Sequence, residues 1–232
     1  MRRWIYTLAA MFMVSLPALA EDRPVVVELF TSQGCSSCPA ADRLMHDLAA
    51  RDDIIALALH VDYWDYIGWA DSFADPAYTA RQRLYAKTSG EKMIYTPQMI
   101  VDGRDHVVGN RALDVAELIA RHRATAPTVD IVLSRSGETL SIDLTPLETL
   151  TGPLLVQLVR YRPEETVKIK RGENAGKTLS YANIVTDLTE LTTWNGRAPV
   201  SMSAPTPGDL PVVVLIQRGN GLGPVAAAAR LR

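Results

Sequence analysis

Two apolar runs bracket an amphipathic segment near the start of the chain, and this unit constrains the fold more than any other feature. Residues 25–31, VVVELFT, are continuous, rich in β-branched side chains and broken only by Glu28. Such a run reads as a strand buried on both faces. Residues 54–60, IIALALH, read the same way. Between them, CPAADRLMHDLAAR carries Ala41, Leu44 and Leu48 on one helical stripe with charges on the other face. Pro39 is tolerable only in a first turn, so the helix is expected to begin at about Cys35 to Cys38. A strand, a helix and a second strand joined in this way require a parallel pair with a right-handed crossover.

Further along, Asp75-Pro76 reads as an N-cap and first helical position, opening a helix that runs to Gly90. PQMIVD, 97–102, is a strand, and Asp102-Gly103 turns it toward a short antiparallel return near Val107 and Val108. Residues 112–123 are helical, with Leu113, Ala116 and Ile119 on one face. The texture changes at Ala126-Pro127. TVDIVLS and ETLSIDL alternate in period two about Ser136-Gly137, a hairpin signal, and GPLLVQLVRYR and PVVVLIQR are further strands. RGENAGKTL reads as a loop, while YANIVTDL and the alanines 226–229 suit helix or strand equally. The expected organisation is an α/β domain over 21–126 and a mainly β, sandwich-like module over 127–232.

The first twenty residues stand apart. Arg2 and Arg3 precede a short apolar core, Leu8 to Leu16, and Ala18-Leu19-Ala20 forms an A-x-A cleavage site. This is the pattern of a secretory signal peptide. The run is shorter than the roughly 20 residues needed to span a bilayer, so no membrane segment is expected after cleavage. The expected location is the periplasm or the medium, where disulfides persist. A net charge of −2 without a basic run gives no footprint for nucleic acid.

Cys35 and Cys38 are the only cysteines. One pair in a mature chain of about 212 residues is not a disulfide scaffold, because a chain of that length can bury an adequate core. Placed between strand and helix, Cys35 is expected at the helix tip, where unpaired N–H groups stabilise a thiolate. It would attack a disulfide, and Cys38, one turn on, would resolve the mixed disulfide. Three other uses compete. A structural zinc site wants four ligands, and no second CxxC or paired HxxxH is present. A Cu(I) site would take Cys35, Cys38 and His60. An inert local disulfide is the third.

VVVELFTSQGCSSCPAAD, followed roughly sixty residues on by YTPQMIVDG, resembles the thioredoxin-like superfamily. More closely, the chain resembles an exported bacterial family of unknown function with a thioredoxin-like first domain, an HVDYWDxxGW segment and a C-terminal GENxGK/R stretch. Here these are residues 60–69 and 172–177. The resemblance implies a cis bond before Pro97, opposite the cysteines, with Thr96 presenting main-chain groups to substrate thiols or disulfides, protein or small-molecule. It implies no cofactor beyond the cysteines. It also implies a buried carboxylate that relays the Cys38 proton. Glu28 is the candidate, about one residue out of the usual offset, and in a strand such a slip turns a side chain to the other face.

His60 and Asp62 follow the second strand and so share the sheet edge with Cys35, an edge that ligands favour. Trp64, Tyr66 and Trp69 would then line a groove, with Trp64 as substrate contact, or would cover a core edge instead. Arg171, Glu173, Asn174 and Lys177 form a polar loop that either docks against the redox edge or is simply solvated.

Overall fold

The computed structural model describes residues 23–219 and 222–232, so the signal-peptide reading falls outside the described residues. Strand β1 (Val25–Thr31), helix α1 (Pro39–Ala49) and strand β2 (Ile54–His60) form the predicted unit. β1 and β2 are parallel, in register from Val25↔Ile54 to Thr31↔His60. A 3-10 turn (Asp65–Ile67) precedes α2 (Pro76–Ser89), β3 (Gln98–Val101), β4 (Asp105–Val108) and α3 (Ala112–Arg123). Asp75 caps α2, its carboxylate accepting from Ala77 N–H at 2.8 Å. Among the described residues no helix is long and apolar enough to cross a membrane.

The described residues after 126 are all strand and loop: β5 (Val129–Ser136), β6 (Thr139–Pro146), β7 (Leu154–Lys168), β8 (Thr178–Trp194), β9 (Val200–Pro205), β10 (Val212–Arg218) and β11 (Val225–Leu231). The two ambiguous segments are therefore strands. Tertiary pairing decides them: YANIVTDL lies in β8 against β7, and the alanines lie in β11 against β10. Short side chains let that edge pack closely. β9 was not anticipated, because VSMSAP has little hydrophobic run of its own.

The result is a mixed α/β fold with two sheets. One has eight strands in the order β11-β10-β7-β8-β2-β1-β3-β4, and the other has three, β5-β6-β9. The larger sheet is continuous across residue 126, because β8 lies parallel to β2 at Ala58↔Ile184. Beside that pairing, Asn183 donates its side-chain N–H to Ala56 O at 2.9 Å. Each half of the chain thus supplies the sheet neighbour that the other half needs for its main-chain hydrogen bonds.

Alternation along β1 sorts the core. Val25, Val27 and Leu29 pack with Ala41, Met45 and Leu48 of α1 and with Val115 and Ile119 of α3. Val26 and Phe30 face the other way, with Tyr78 and Tyr85 of α2 and with Val159, Val213 and Leu215. A third cluster joins Leu140, Ile142 and Leu144 of the small sheet to Leu154, Val156, Val212 and Val214.

Candidate functional site

Cys35 and Cys38 are joined as a disulfide, with Cα atoms 5.4 Å apart. Two expectations about this pair need correction. The helix begins at Pro39, so Cys38 is the N-cap residue and Cys35 lies in the turn before it. Proline at the first helical position fixes that start. Cys35 is also not accessible: both cysteines are 0 % exposed.

The loop leading to the pair is held from several directions. Cys35 N–H donates to Ser32 O at 3.1 Å, and Gly34 N–H donates to the Ser32 hydroxyl at 3.1 Å. A Cβ on Gly34 would lie 3.2 Å from Ile67 Cδ1 and 3.3 Å from Trp64 Cβ, so the aromatic segment packs directly on this turn. Gln33 N–H donates to Asp71 Oδ2 at 2.8 Å, while the Gln33 amide oxygen accepts from Trp69 Nε1 at 2.8 Å.

From the far end of the sequence, Asn174 is 1 % exposed and donates from Nδ2 to Gln33 O and to Cys35 O, each at 2.9 Å. Lys177 Nζ donates to the Asn174 amide oxygen at 2.8 Å. Of the four polar loop residues singled out in the sequence, Asn174 meets the cysteine loop directly and Lys177 braces it. Arg171 and Glu173 remain exposed.

The Thr96–Pro97 bond is cis. Trp64 Nε1 donates to Thr96 Oγ1 at 2.7 Å, and the same residue touches Gly34. Trp64 therefore links the cysteine loop to the proline bend. Its indole N–H is spent on that link, which makes it a brace between the two rather than a free contact.

Glu28 is buried on the opposite face from α1. It accepts from Arg81 Nε at 2.6 Å and from the Tyr85 hydroxyl, and Arg81 in turn reaches Gln157 and Gln217. The relay assigned to Glu28 is corrected by this placement: the strand pleat aims it at α2, and its charge is matched there.

The carboxylate on the α1 face is Asp42, whose N–H bonds to Cys38 O at 3.0 Å. Its Oδ1 accepts from the Thr31 hydroxyl at 2.7 Å, while Oδ2 has no partner among the described residues. Burial pushes its pKa up to about 7, opposed in part by the Thr31 hydroxyl and the nearby His60. His60 Nδ1 pairs with Asp71 Oδ2 at 2.7 Å, and its ring stands edge-on to Phe73 and Tyr181. His60 Nε2 and the Tyr181 hydroxyl likewise lack partners among the described residues.

No three His, Cys, Asp or Glu side chains are grouped among the described residues so as to hold a metal ion, the set Cys35, Cys38 and His60 included. The sulfurs are bonded to each other and the imidazole is committed to Asp71. Sequence reasoning missed the Asp42–Thr31–His60–Asp71 group. Its one local signal was an aspartate beside the apolar stripe of α1, four residues after Cys38.

A family model described as "Protein of unknown function (DUF1223)" matches residues 26–217. A crystal structure of a protein from Agrobacterium tumefaciens is similar at 32 % identity, with a TM-score of 0.77, over 89 % of this chain and 93 % of that one. HBP35 of Porphyromonas gingivalis shares the fold, with a TM-score of 0.64 at 14 % identity, over 90 % of this chain and 75 % of that one. No curated protein matches the sequence.

Proposed function

We propose that this chain, which belongs to the DUF1223 family of proteins of unknown function, performs thiol–disulfide exchange in the cell envelope through Cys35 and Cys38 on a thioredoxin-like arrangement. The observation that carries the proposal is a disulfide in the turn before α1, tied through Trp64 to the cis Thr96–Pro97 bend. A strand, a CxxC turn and a helix beside such a bend give an incoming thiolate a sulfur to attack. They also offer main-chain groups at Thr96 on which a partner can align. Reduction and oxidation use the same atoms, and the midpoint potential sets the direction.

A second reading, an inert structural disulfide, is favoured by one specific fact: neither cysteine is exposed. A structural bond would resist the glutathione pool, with a potential below about −300 mV. Two measurements separate the readings. Cys38→Ser protein, reduced and incubated with an oxidised peptide, is expected to accumulate a mixed disulfide at Cys35 that alkylation and mass spectrometry locate. The wild-type bond is expected to equilibrate above about −300 mV. No adduct together with a potential below that value would reject exchange.

A further inference from the structure

We propose that loop 169–177, at the tip of the β7–β8 hairpin, is a displaceable cap on the disulfide, with Asn174 as its positioning residue, and that it decides which thiols reach Cys35. The functional meaning of the cap rests on the exchange reading above, but the shielding it describes can be tested separately.

Several features suit this loop to move as a body. Its main-chain hydrogen bonds are internal: Ile169 N–H to Lys177 O at 2.9 Å, Gly176 N–H to Ile169 O at 2.9 Å, Ala175 N–H to Gly172 O at 3.1 Å and Lys177 N–H to Asn174 O at 3.1 Å. Lifting it breaks none of these. Within the loop two residues are buried: Ile169, at its base and 0 % exposed, which anchors the loop to the hairpin, and Asn174, inserted at the tip like a plug. The strands that carry the loop are lightly packed near it, with residues 162–168 and 178–180 exposed or half-buried throughout. By contrast β7 is largely buried from Leu154 to Tyr161.

What holds the tip beyond Ile169 down is polar and specific. The two N–H groups of one amide reach Gln33 O and Cys35 O, and Lys177 fixes the other end of that amide. Gly172 adds a close approach to Trp69, where a Cβ would stand 3.3 Å from Trp69 Cβ. Each bond is an exchangeable contact that water can replace on opening.

The chemistry the cap controls is a balanced exchange. A reductant thiolate attacks Cys35 Sγ, and the Cys35–Cys38 bond breaks. Cys38 leaves as a thiolate and takes a proton. The reductant's second thiol then loses its proton and attacks the mixed disulfide, releasing Cys35 as a thiolate that is protonated in turn. Two electrons and two protons pass from the dithiol to the protein, and the reductant becomes a disulfide. A small dithiol needs a narrow opening for this, whereas a folded protein dithiol needs the whole cap displaced. The cap therefore discriminates by size.

The test uses the full oxidised protein with two reductants, dithiothreitol and reduced thioredoxin, and follows alkylation of the freed cysteines. Asn174→Asp keeps the side-chain size but sets an acceptor against two carbonyl oxygens. Loss of both bonds is expected to raise the rate with thioredoxin by roughly thirtyfold, and with dithiothreitol by much less. Lys177→Ala, a milder change at an exposed residue, is expected to give a few-fold rise in the same ratio. An unchanged thioredoxin-to-dithiothreitol ratio in both variants overturns the cap, and if Asn174→Asp fails to fold, Lys177→Ala alone decides. Turnover of an oxidised peptide by the wild type is measured alongside. Turnover with an unchanged ratio leaves exchange standing and removes the cap. A raised ratio without turnover leaves a shield and removes exchange.

Discussion

Asp42 is a group through which pH should act on stability. Its carboxyl is buried with the Thr31 hydroxyl as hydrogen-bond partner, within electrostatic reach of His60, Asp71, His46 and Tyr181, and burial raises its pKa from the ordinary 3.8 to about 7. The folded state therefore holds this proton more tightly than the unfolded chain does. The contribution to stability is fully present below about pH 3.8, falls as pH rises, and is lost once pH passes about 7. At 1.36 kcal/mol per pKa unit the rise corresponds to roughly 4 kcal/mol, an upper figure because local opening relieves part of it. Asn at this position keeps an oxygen for the Thr31 hydroxyl and cannot ionise. Urea unfolding of oxidised wild type and Asp42→Asn should therefore give nearly equal stabilities at pH 4. At pH 8 the variant should be more stable by about 2–4 kcal/mol, with the difference growing between pH 4 and 7. A pH-independent offset between the two, or a variant less stable than wild type at pH 8, would refute the placement of this buried acid.

Other substitutions probe neighbouring claims. Arg81→Met strands the Glu28 carboxylate in the α2-side core and should cost about 3–5 kcal/mol in urea unfolding, while Glu28→Met with Arg81→Met should recover most of that loss. Glu28→Gln should leave the rate of peptide-disulfide exchange unchanged, since the side chain sits on the far face of β1; a tenfold fall would restore it as a relay. Asp71→Ala removes the acceptor shared by Gln33 N–H and His60 Nδ1 and should lower stability by about 2–4 kcal/mol, read from the urea midpoint. Gly34→Ala should cost about 1–3 kcal/mol, because its Cβ meets Trp64 and Ile67; a neutral result would mean that the turn yields without cost.

What the sequence disclosed followed the reach of each signal. Elements with strong periodicity or firm punctuation were legible: β1 and β2 from their apolar runs and α2 from Asp75-Pro76, whereas α3 was expected at the right place but on the wrong stripe, since Leu113 and Ala116 are exposed and Val115, Ile119 and His122 form its buried face. The segments 181–188 and 226–229 were not legible, because their strand state comes from pairing with the other arm of a hairpin, from Tyr181↔Glu165 to Leu188↔Val159 in the first case, not from local preference. The continuity of the sheet through β8 and β2 was also invisible, since no local pattern records a neighbour 126 residues distant along the Ala58↔Ile184 pairing. At the site, the cysteines, the proline bend and Trp64 were all named, because spacing and resemblance reach that far. The burial of Cys35 was not. Nor was the bond from Asn174 to the Cys35 carbonyl oxygen, because the polar, glycine-bearing surroundings of Asn174 look the same whether a loop is solvated or docked.

The separation between Cys35 and the amide that covers it is 139 residues. A nascent chain presents its amino-terminal part first, and that part begins to fold before the rest exists. During this interval the cysteine turn can already have Trp64 and Ile67 beside it but lacks Asn174. On the proposal above, the two thiols would then be open to whatever oxidant is at hand, and the bond would pass out of general reach once the distal hairpin arrives. If the cap acts as proposed, the order of synthesis would give the pair an early open period and a later one in which partners must present the right shape.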